Sequence, residues 1–331
     1  VPRVTIYSVA QACGVSSSTV SRAFTRPDLV KDSVRQRILA AAAELGYRPN
    51  KSARAIATGR TAMVGLVVPD ITNPFMPPLV RAVQRAAGDH DWSVLLVDAE
   101  EQSAAEAELI SRLHGQVDGL ILASPRARSI DLQNAAEDLP CVLMNRVIRG
   151  LPSVVCDNGA ALAAIGDQLV RDGHRRVALL GGPASSWAAQ QRARTVRAWA
   201  ARAEVVLDEL KPYDASFDGG REAGAALLAT GTTAAFAFDD VMACGVLAEL
   251  ASRGVAVPGD YSVVGCDDVL LARMVTPSLT TVTAPFGELG RAAVELLRES
   301  VAEPEGRPSR VTLPGVPVTR ASTGPVAART P

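Results

Sequence analysis

One stretch of this sequence, VSSSTVSRAF at residues 15–24, has residue types and spacing that suit close recognition. In a helical repeat Val20, Ala23 and Phe24 fall on one face, and Ser17, Ser18 and Arg22 fall on the other. A solvated face would favour Glu, Lys and Ala, the better helix formers. Short hydroxyls beside one long fork of donors suit a face that must approach another surface. An arginine fork can donate paired hydrogen bonds to O6 and N7 of a guanine. Other polar groups punctuate the ends of apolar runs further along the chain: Asp70 to Asn73, Ser124, Asn145, Asp239–Asp240 and Asp267–Asp268. Side chains placed at such ends are available to a bound ligand.

The elements around residues 15–24 define what that face meets. Thr5 can cap a first helix in which Ile6, Val9, Ala10 and Cys13 fall at i, i+3, i+4 and i+7, and Gly14 can take the left-handed turn that ends it. Ser16 can cap the second helix. A third begins at Asp32 or Ser33, turns Val34, Ile38, Ala41 and Leu45 inward, and ends at Gly46. Two short helices joined by a glycine-containing turn form a helix-turn-helix, whose second helix enters the major groove of DNA. Residues 1–60 carry ten Lys/Arg against three acids, a net +7 on a chain whose total is −1. A basic arm on an acidic body fits a polyanionic partner. An ordinary three-helix subdomain is the alternative reading. The DNA-facing set is Ser17, Ser18 and Arg22 for bases, with Thr19 and Ser21 for phosphates or capping, and Thr5 and Ser16 at the helix starts. The linker that follows is basic and only marginally helical, which suits folding on binding. Its Asn50, Lys51, Ala53 and Arg54 join the set, with Ile56 as an apolar wedge that could kink DNA from the minor groove.

After Thr61 the pattern changes. MVGLVVP, WSVLLVD, VDGLILAS, CVLMN, SVVCD, RVALLGG, AAFAFDD and YSVVGCDD are short apolar runs, with segments of helical period such as 75–90, 104–113 and 160–171 between them. Such alternation predicts α/β structure with parallel sheets covered on both faces, and eight runs suggest two similar halves. The five cysteines are scattered without a C-x-x-C, and the three histidines lack H-E-x-x-H, so neither disulfides nor a metal is expected. No phosphate-loop motif appears, and no cofactor is expected. No apolar run reaches membrane length and no signal peptide precedes Thr5, so a cytoplasmic protein is expected.

TIYSVAQACGVSSSTVSRAF, AAAELGYRPNKSARAIATGRT, VGLVVPDITNPF, GHRRVALLGGP, FAFDDVMACGVL and VPGDYSVVGCDD together resemble the lactose/galactose (LacI-type) repressor family, over about residues 5–323. The resemblance implies a dimeric transcriptional repressor. Its head is a helix-turn-helix joined by a hinge helix to a periplasmic-binding-protein type I sensor, two doubly wound subdomains that close on a small ligand. It implies base-reading roles for Ser17, Ser18 and Arg22 and an intercalating lever at Ile56, where the family usually has Leu. It implies ligand contacts from Phe75, Trp187, Arg192, Asp267 and Phe286, and from Asp239, where Asn is common.

The chemistry of those residues points the same way. Phe75 and Trp187 offer flat faces to a sugar ring, and Arg192, Asp239 and Asp267 offer donors and acceptors to vicinal hydroxyls. Two acids near one arginine favour a neutral sugar or polyol. Each has a structural alternative: Phe75 as core, Asp239 or Asp267 as a helix cap, Arg192 as a salt-bridge partner. Asp240 is expected to be such a cap. The expected organisation is a DNA-binding head at 1–48, a hinge at 49–60, a sensor and homodimerisation domain at 61–323, and a disordered tail at 324–331. The expected function is release from a near-palindromic double-stranded operator by the effector. The alternatives are a corepressor-dependent repressor with a nucleobase-type effector, an exported sugar-binding protein, or an enzyme using paired cleft acids.

Overall fold

The computed structural model describes residues 4–47, 60–135, 137 and 139–326. The chain forms two compact units, divided in sequence between Thr61 and Ala62.

The first unit holds helices α1 (Ile6–Cys13), α2 (Ser17–Thr25) and α3 (Asp32–Glu44), with a 3-10 turn at Pro27–Leu29. Thr5 and Ser8 form a reciprocal capping box on α1, and Gly14 leaves it at φ 61°. The Ser16 hydroxyl accepts the Thr19 N–H at 3.1 Å and so starts α2. Val9, Ala10, Cys13, Val20, Ala23, Ile38 and Ala42 make the small core. Leu45, expected to face inward, is exposed: α3 ends before it, and Gly46 reverses the chain at φ 67°. Tyr47 instead folds back, donating its N–H to the Ala42 carbonyl at 2.8 Å, and packs against Phe24.

The second unit contains two parallel sheets. The first joins β1 (Met63–Val68), β2 (Ser93–Asp98), β3 (Gly119–Ala123), β4 (Cys141–Met144), β5 (Ser153–Asp157) and β11 (Arg310–Pro314) in the order 11-5-4-3-1-2. The second joins β6 (Arg176–Gly181), β7 (Val206–Pro212), β8 (Ala234–Phe236) and β9 (Ser262–Val264) in the order 7-6-8-9. A two-stranded antiparallel ribbon pairs β10 (Thr281–Val282) with β12 (Pro317–Val318). The helices are α4 (Met76–Gly88), α5 (Ser103–Ser111), α6 (Ser129–Ala135), α7 (Gly159–Arg171), α8 (Trp187–Arg202), α9 (Phe217–Leu227), α10 (Asp240–Ser252), α11 (Leu271–Met274) and α12 (Phe286–Ala302). Both sheets are covered on two faces. Val64, Leu66 and Val68 meet Leu79, Val83 and Val294 of α4 and α12, while Leu120, Leu122 and Leu143 meet Ile110 and Leu132 of α5 and α6. In the second sheet Ala178 and Leu180 pack with α9 and α10, and Val177 and Leu179 pack with α7 and α8.

The expected two-subdomain architecture is therefore present. The chain passes between its halves three times, at β5–α7, β10–α12 and β11–β12. Four strands lacked an apolar run in the sequence. β7 and β11 are edge strands whose residues are half-buried or exposed, and β10 and β12 have two residues each. Gly324 to Val326, expected to begin a disordered tail, are tied down. The Gly324 carbonyl accepts from the buried His174 Nε2 at 3.1 Å, its N–H donates to Ser262 Oγ, and the Val326 N–H donates to the Asp172 carbonyl at 2.8 Å.

Helices α9 and α10 touch backbone to backbone. A Cβ on Gly245 would lie 2.0 Å from the Phe217 carbonyl oxygen, and one on Gly220 would lie 2.1 Å from that of Met242. Gly245→Ala must push the helices apart, and the expected loss is about 1–3 kcal/mol in urea denaturation. Gly88→Ala, at a helical position with open space around it, is expected to be neutral or stabilising by about 0.4–1 kcal/mol. Equal midpoints for the two variants would refute the close contact.

Candidate functional site

The outer face of α2 is polar and short. Ser18 and Arg22 are exposed, and Ser17, Thr19 and Ser21 are half-buried. The Ser16 hydroxyl bonds to those of Ser18 at 2.8 Å and Thr19 at 2.9 Å, so the capping group also orients its neighbours. The Ser21 carbonyl accepts from Thr25 Oγ1 at 2.9 Å, inside the helix. Thr5 stands exposed at the start of α1. Close by in sequence, Tyr7 is 71% exposed, a large aromatic that the sequence reading passed over because it assigned only the inward stripe of α1. Asn50, Lys51, Ala53, Arg54 and Ile56 lie outside the described residues.

In the second unit a cavity of about 320 Å³ opens between the subdomains. It brings together Phe75, Trp187, Arg192 and Asp267. Phe75 ends the β1–α4 loop, where its N–H donates to Asn73 Oδ1 at 2.9 Å. Trp187 begins α8, capped by the Ser186 hydroxyl. Arg192 lies one turn further along α8 and forms an ion pair with Asp267 through Nη2. Its Nη1 donates to the Phe238 carbonyl at 2.6 Å, and its guanidinium lies 4.9 Å above the centre of the Phe238 ring. Gly182 makes room for that ring, since a Cβ there would sit 2.3 Å from it. Arg192 Nε is buried with no hydrogen-bond partner among the described residues.

Two expected ligand contacts are not in this wall. Asp239 caps α10: its Oδ1 accepts the Met242 N–H at 2.8 Å, and its Oδ2 accepts from Asn73 Nδ2 at 3.4 Å, a contact across the two subdomains. Asp240, expected to be the cap, instead accepts from the Val269 N–H at 2.9 Å and Thr281 Oγ1 at 2.6 Å. Phe286 stands behind the wall, with its ring centre 5.0 Å from that of Phe75 in an edge-on contact. The sequence reading missed Asn158, Arg194, Arg310 and Thr312 as lining residues. The last two lie on β11, which had no apolar run to reveal it. Arg194 follows Arg192 by two, a spacing that places neighbours on different helix faces.

The buried acids Asp267 and Asp240 hold their protons more tightly than usual. Burial pushes Asp267 up to about 6, against the attraction of Arg192. Burial, and then the charge of Asp267, pushes Asp240 up to about 7.

A DNA-reading head followed by a two-subdomain sensor is the plan of a ligand-responsive transcriptional regulator. The head, residues 5–50, matches the lacI family of bacterial regulatory proteins, and residues 167–323 match the periplasmic binding protein-like domain. The HTH-type transcriptional regulator DegA of Bacillus subtilis is 32% identical, with 98% of this chain and 99% of that protein aligned. The crystal structure of the lac repressor dimer bound to operator and the anti-inducer ONPF superposes with a TM-score of 0.86 at 27% identity, over 97% of this chain and 99% of that one. The complex of the transcriptional regulator CelR with cellobiose gives a TM-score of 0.73 at 29% identity, over 97% and 100%. The chain belongs to the lacI family and is a sequence-specific DNA-binding regulator rather than an enzyme.

The raised acids fix the sign of a pH effect. Between about 3.8 and 7 the folded chain holds protons on Asp240 and Asp267 that the unfolded chain has released, so the stability they contribute is lost as pH rises through that window. Asp240→Asn is expected to flatten the upper part of the slope in urea midpoints measured between pH 5 and pH 8. Parallel slopes for the two proteins would refute the assignment.

Proposed function

We propose that this regulator is a homodimeric repressor released from a near-palindromic operator by a small sugar-type effector bound in the cavity of the second unit. The observation that carries the reading is the Arg192–Asp267 pair, which lines the same cavity as the aromatic rings of Phe75 and Trp187, with Arg192 Nε buried and unpaired among the described residues. Buried donors are nearly always satisfied in native proteins, so a change in the wall that opens Nε to a ligand oxygen would supply its partner. The remaining acceptor capacity of Asp267 faces the same space and suits a hydroxyl. The relative with cellobiose in its complex supports a saccharide as the class. The lac repressor relative, a dimer on its operator, supports a twofold assembly. Two reading helices related by a twofold axis would meet half-sites about one helical turn apart.

In this reading Ser17, Ser18 and Arg22 read bases, while Thr5, Ser16, Thr19 and Ser21 position the helix on phosphates. The effector acts by binding one arrangement of the subdomains better than the other, since only a differential affinity shifts an equilibrium. Asn73 and Asp239 meet across the cleft and belong to the contacts that such a shift would remake.

Arg22→Ala is expected to cost about 1–3 kcal/mol in operator binding and to blur discrimination at one base pair per half-site. A gel-shift series on single-base operator variants checks this, and intact discrimination would remove α2 from the reading role. Arg192→Ala is expected to bind operator as the parent does and to lose the effector response. In the parent, effector should weaken operator binding by about 5–150-fold, and operator should weaken effector binding by the same factor. Tighter effector binding in the presence of operator would reverse the sign and make the effector a corepressor.

A further inference from the structure

The effector cavity carries more positive charge than a neutral ligand calls for. Five charged side chains line it: Arg192, Arg194, Arg310, Asp157 and Asp267. Arg192 and Asp267 compensate each other in their ion pair. Asp157 accepts the N–H of Gly159, the first residue of α7, at 2.8 Å. Asp239, the second acid expected beside Arg192, is occupied as the cap of α10 and does not line the cavity. Asp157 remains an anion, so the lining carries a net single positive charge, and its cations outside the Arg192–Asp267 pair are Arg194 and Arg310. Both are exposed at the cavity wall, and no ion pair involves either of them among the described residues. They come from opposite subdomains, Arg194 from α8 and Arg310 from the first position of β11.

We propose that the effector is an acidic sugar whose carboxylate or phosphate group is held between Arg194 and Arg310, while its hydroxyls meet the Arg192–Asp267 pair. This rests on the sugar-type reading above and narrows it. Guanidinium groups are the side chains best matched to planar carboxylates and to phosphates, through paired, charge-assisted hydrogen bonds. The placement also supplies a driving force for closure. Bringing the subdomains together brings two like charges together, and an anion between them turns that repulsion into attraction. A neutral sugar lacks this differential effect.

The test uses the full chain and three ligand series, based on glucose, galactose and ribose. Each series compares the neutral sugar with its sugar acid and its terminal phosphate, by thermal shift and calorimetry, with inorganic phosphate as a separate arm. One acidic ligand is expected to bind at least about tenfold more tightly than its neutral parent, a difference of about 1.4 kcal/mol. The advantage should shrink at roughly 0.5 M salt, because exposed charges are screened. It should disappear in the double variant R194Q/R310Q, to which the acidic and neutral forms are expected to bind alike. The carboxylate and phosphate arms decide which group is read. Equal binding of neutral and acidic forms, or an acid preference that survives in R194Q/R310Q, would overturn the proposal and leave the sugar-type reading standing. Inorganic phosphate matching a sugar phosphate would also overturn it, since the ring would then contribute nothing. Failure of every sugar, acidic or neutral, to bind would overturn the sugar-type reading and this proposal with it.

Discussion

The sensor is organised around one buried ion pair, Arg192 with Asp267. Taking two charges out of water is costly, and such pairs seldom stabilise a fold more than apolar packing would. What this pair provides is position. Arg192 is fixed by three contacts: the Asp267 carboxylate, the Phe238 carbonyl and the face of the Phe238 ring. Asp267 is fixed by its own N–H, which donates to the Val282 carbonyl at 2.8 Å, and by a backbone held at φ 114°. That conformation is rare for a residue with a side chain and costs on the order of 1–3 kcal/mol, as strained positions at functional sites do. Gly182 belongs to the same construction because it admits the Phe238 ring. The contacts that place Arg192 and Asp267 in the cavity wall are therefore all made within the protein.

Much of this architecture was legible in the sequence because parallel sheets announce themselves. Strands buried on both faces need continuous apolar runs, and β1, β3 and β4 in the first sheet and β6 and β8 in the second have them. The edge strands β7 and β11 do not. β7 reads VLDELKP and β11 reads RVTLP, each with one face toward solvent, so neither stood out from a loop. Missing β11 hid Arg310 and Thr312. In the head, capping chemistry is local, and Thr5, Gly14 and Ser16 could be assigned from their neighbours alone. Leu45 could not, because its place depends on how Tyr47 returns to the core.

The acids at the ends of β8 and β9 show where sequence reading stops. Asp239–Asp240 and Asp267–Asp268 are two pairs of identical residues, and each carboxylate has a different task. Asp239 caps a helix and touches Asn73, Asp240 holds Val269 and Thr281, Asp267 pairs with Arg192, and Asp268 meets Arg273 and Arg320. A one-residue difference in backbone direction decides which carboxylate reaches the cavity. Nothing in residue type encodes that. It follows from Asp267 and Asp268 both adopting positive φ, which only the folded surroundings impose.

The pinned segment 324–326 has a consequence for how the protein is made. The head is complete once Tyr47 has emerged from the ribosome. The first sheet of the sensor waits for β11, and the second subdomain waits for Ser322, which accepts the Thr280 N–H and donates to the Val263 carbonyl, and then for Gly324 against His174. Synthesis runs from the N-terminus and domains fold as they emerge. For most of its translation, the nascent chain thus carries a finished reading head tethered to an unfinished sensor. A chain cut before Ser322 would keep its folded head and lack the closing strap of its second subdomain.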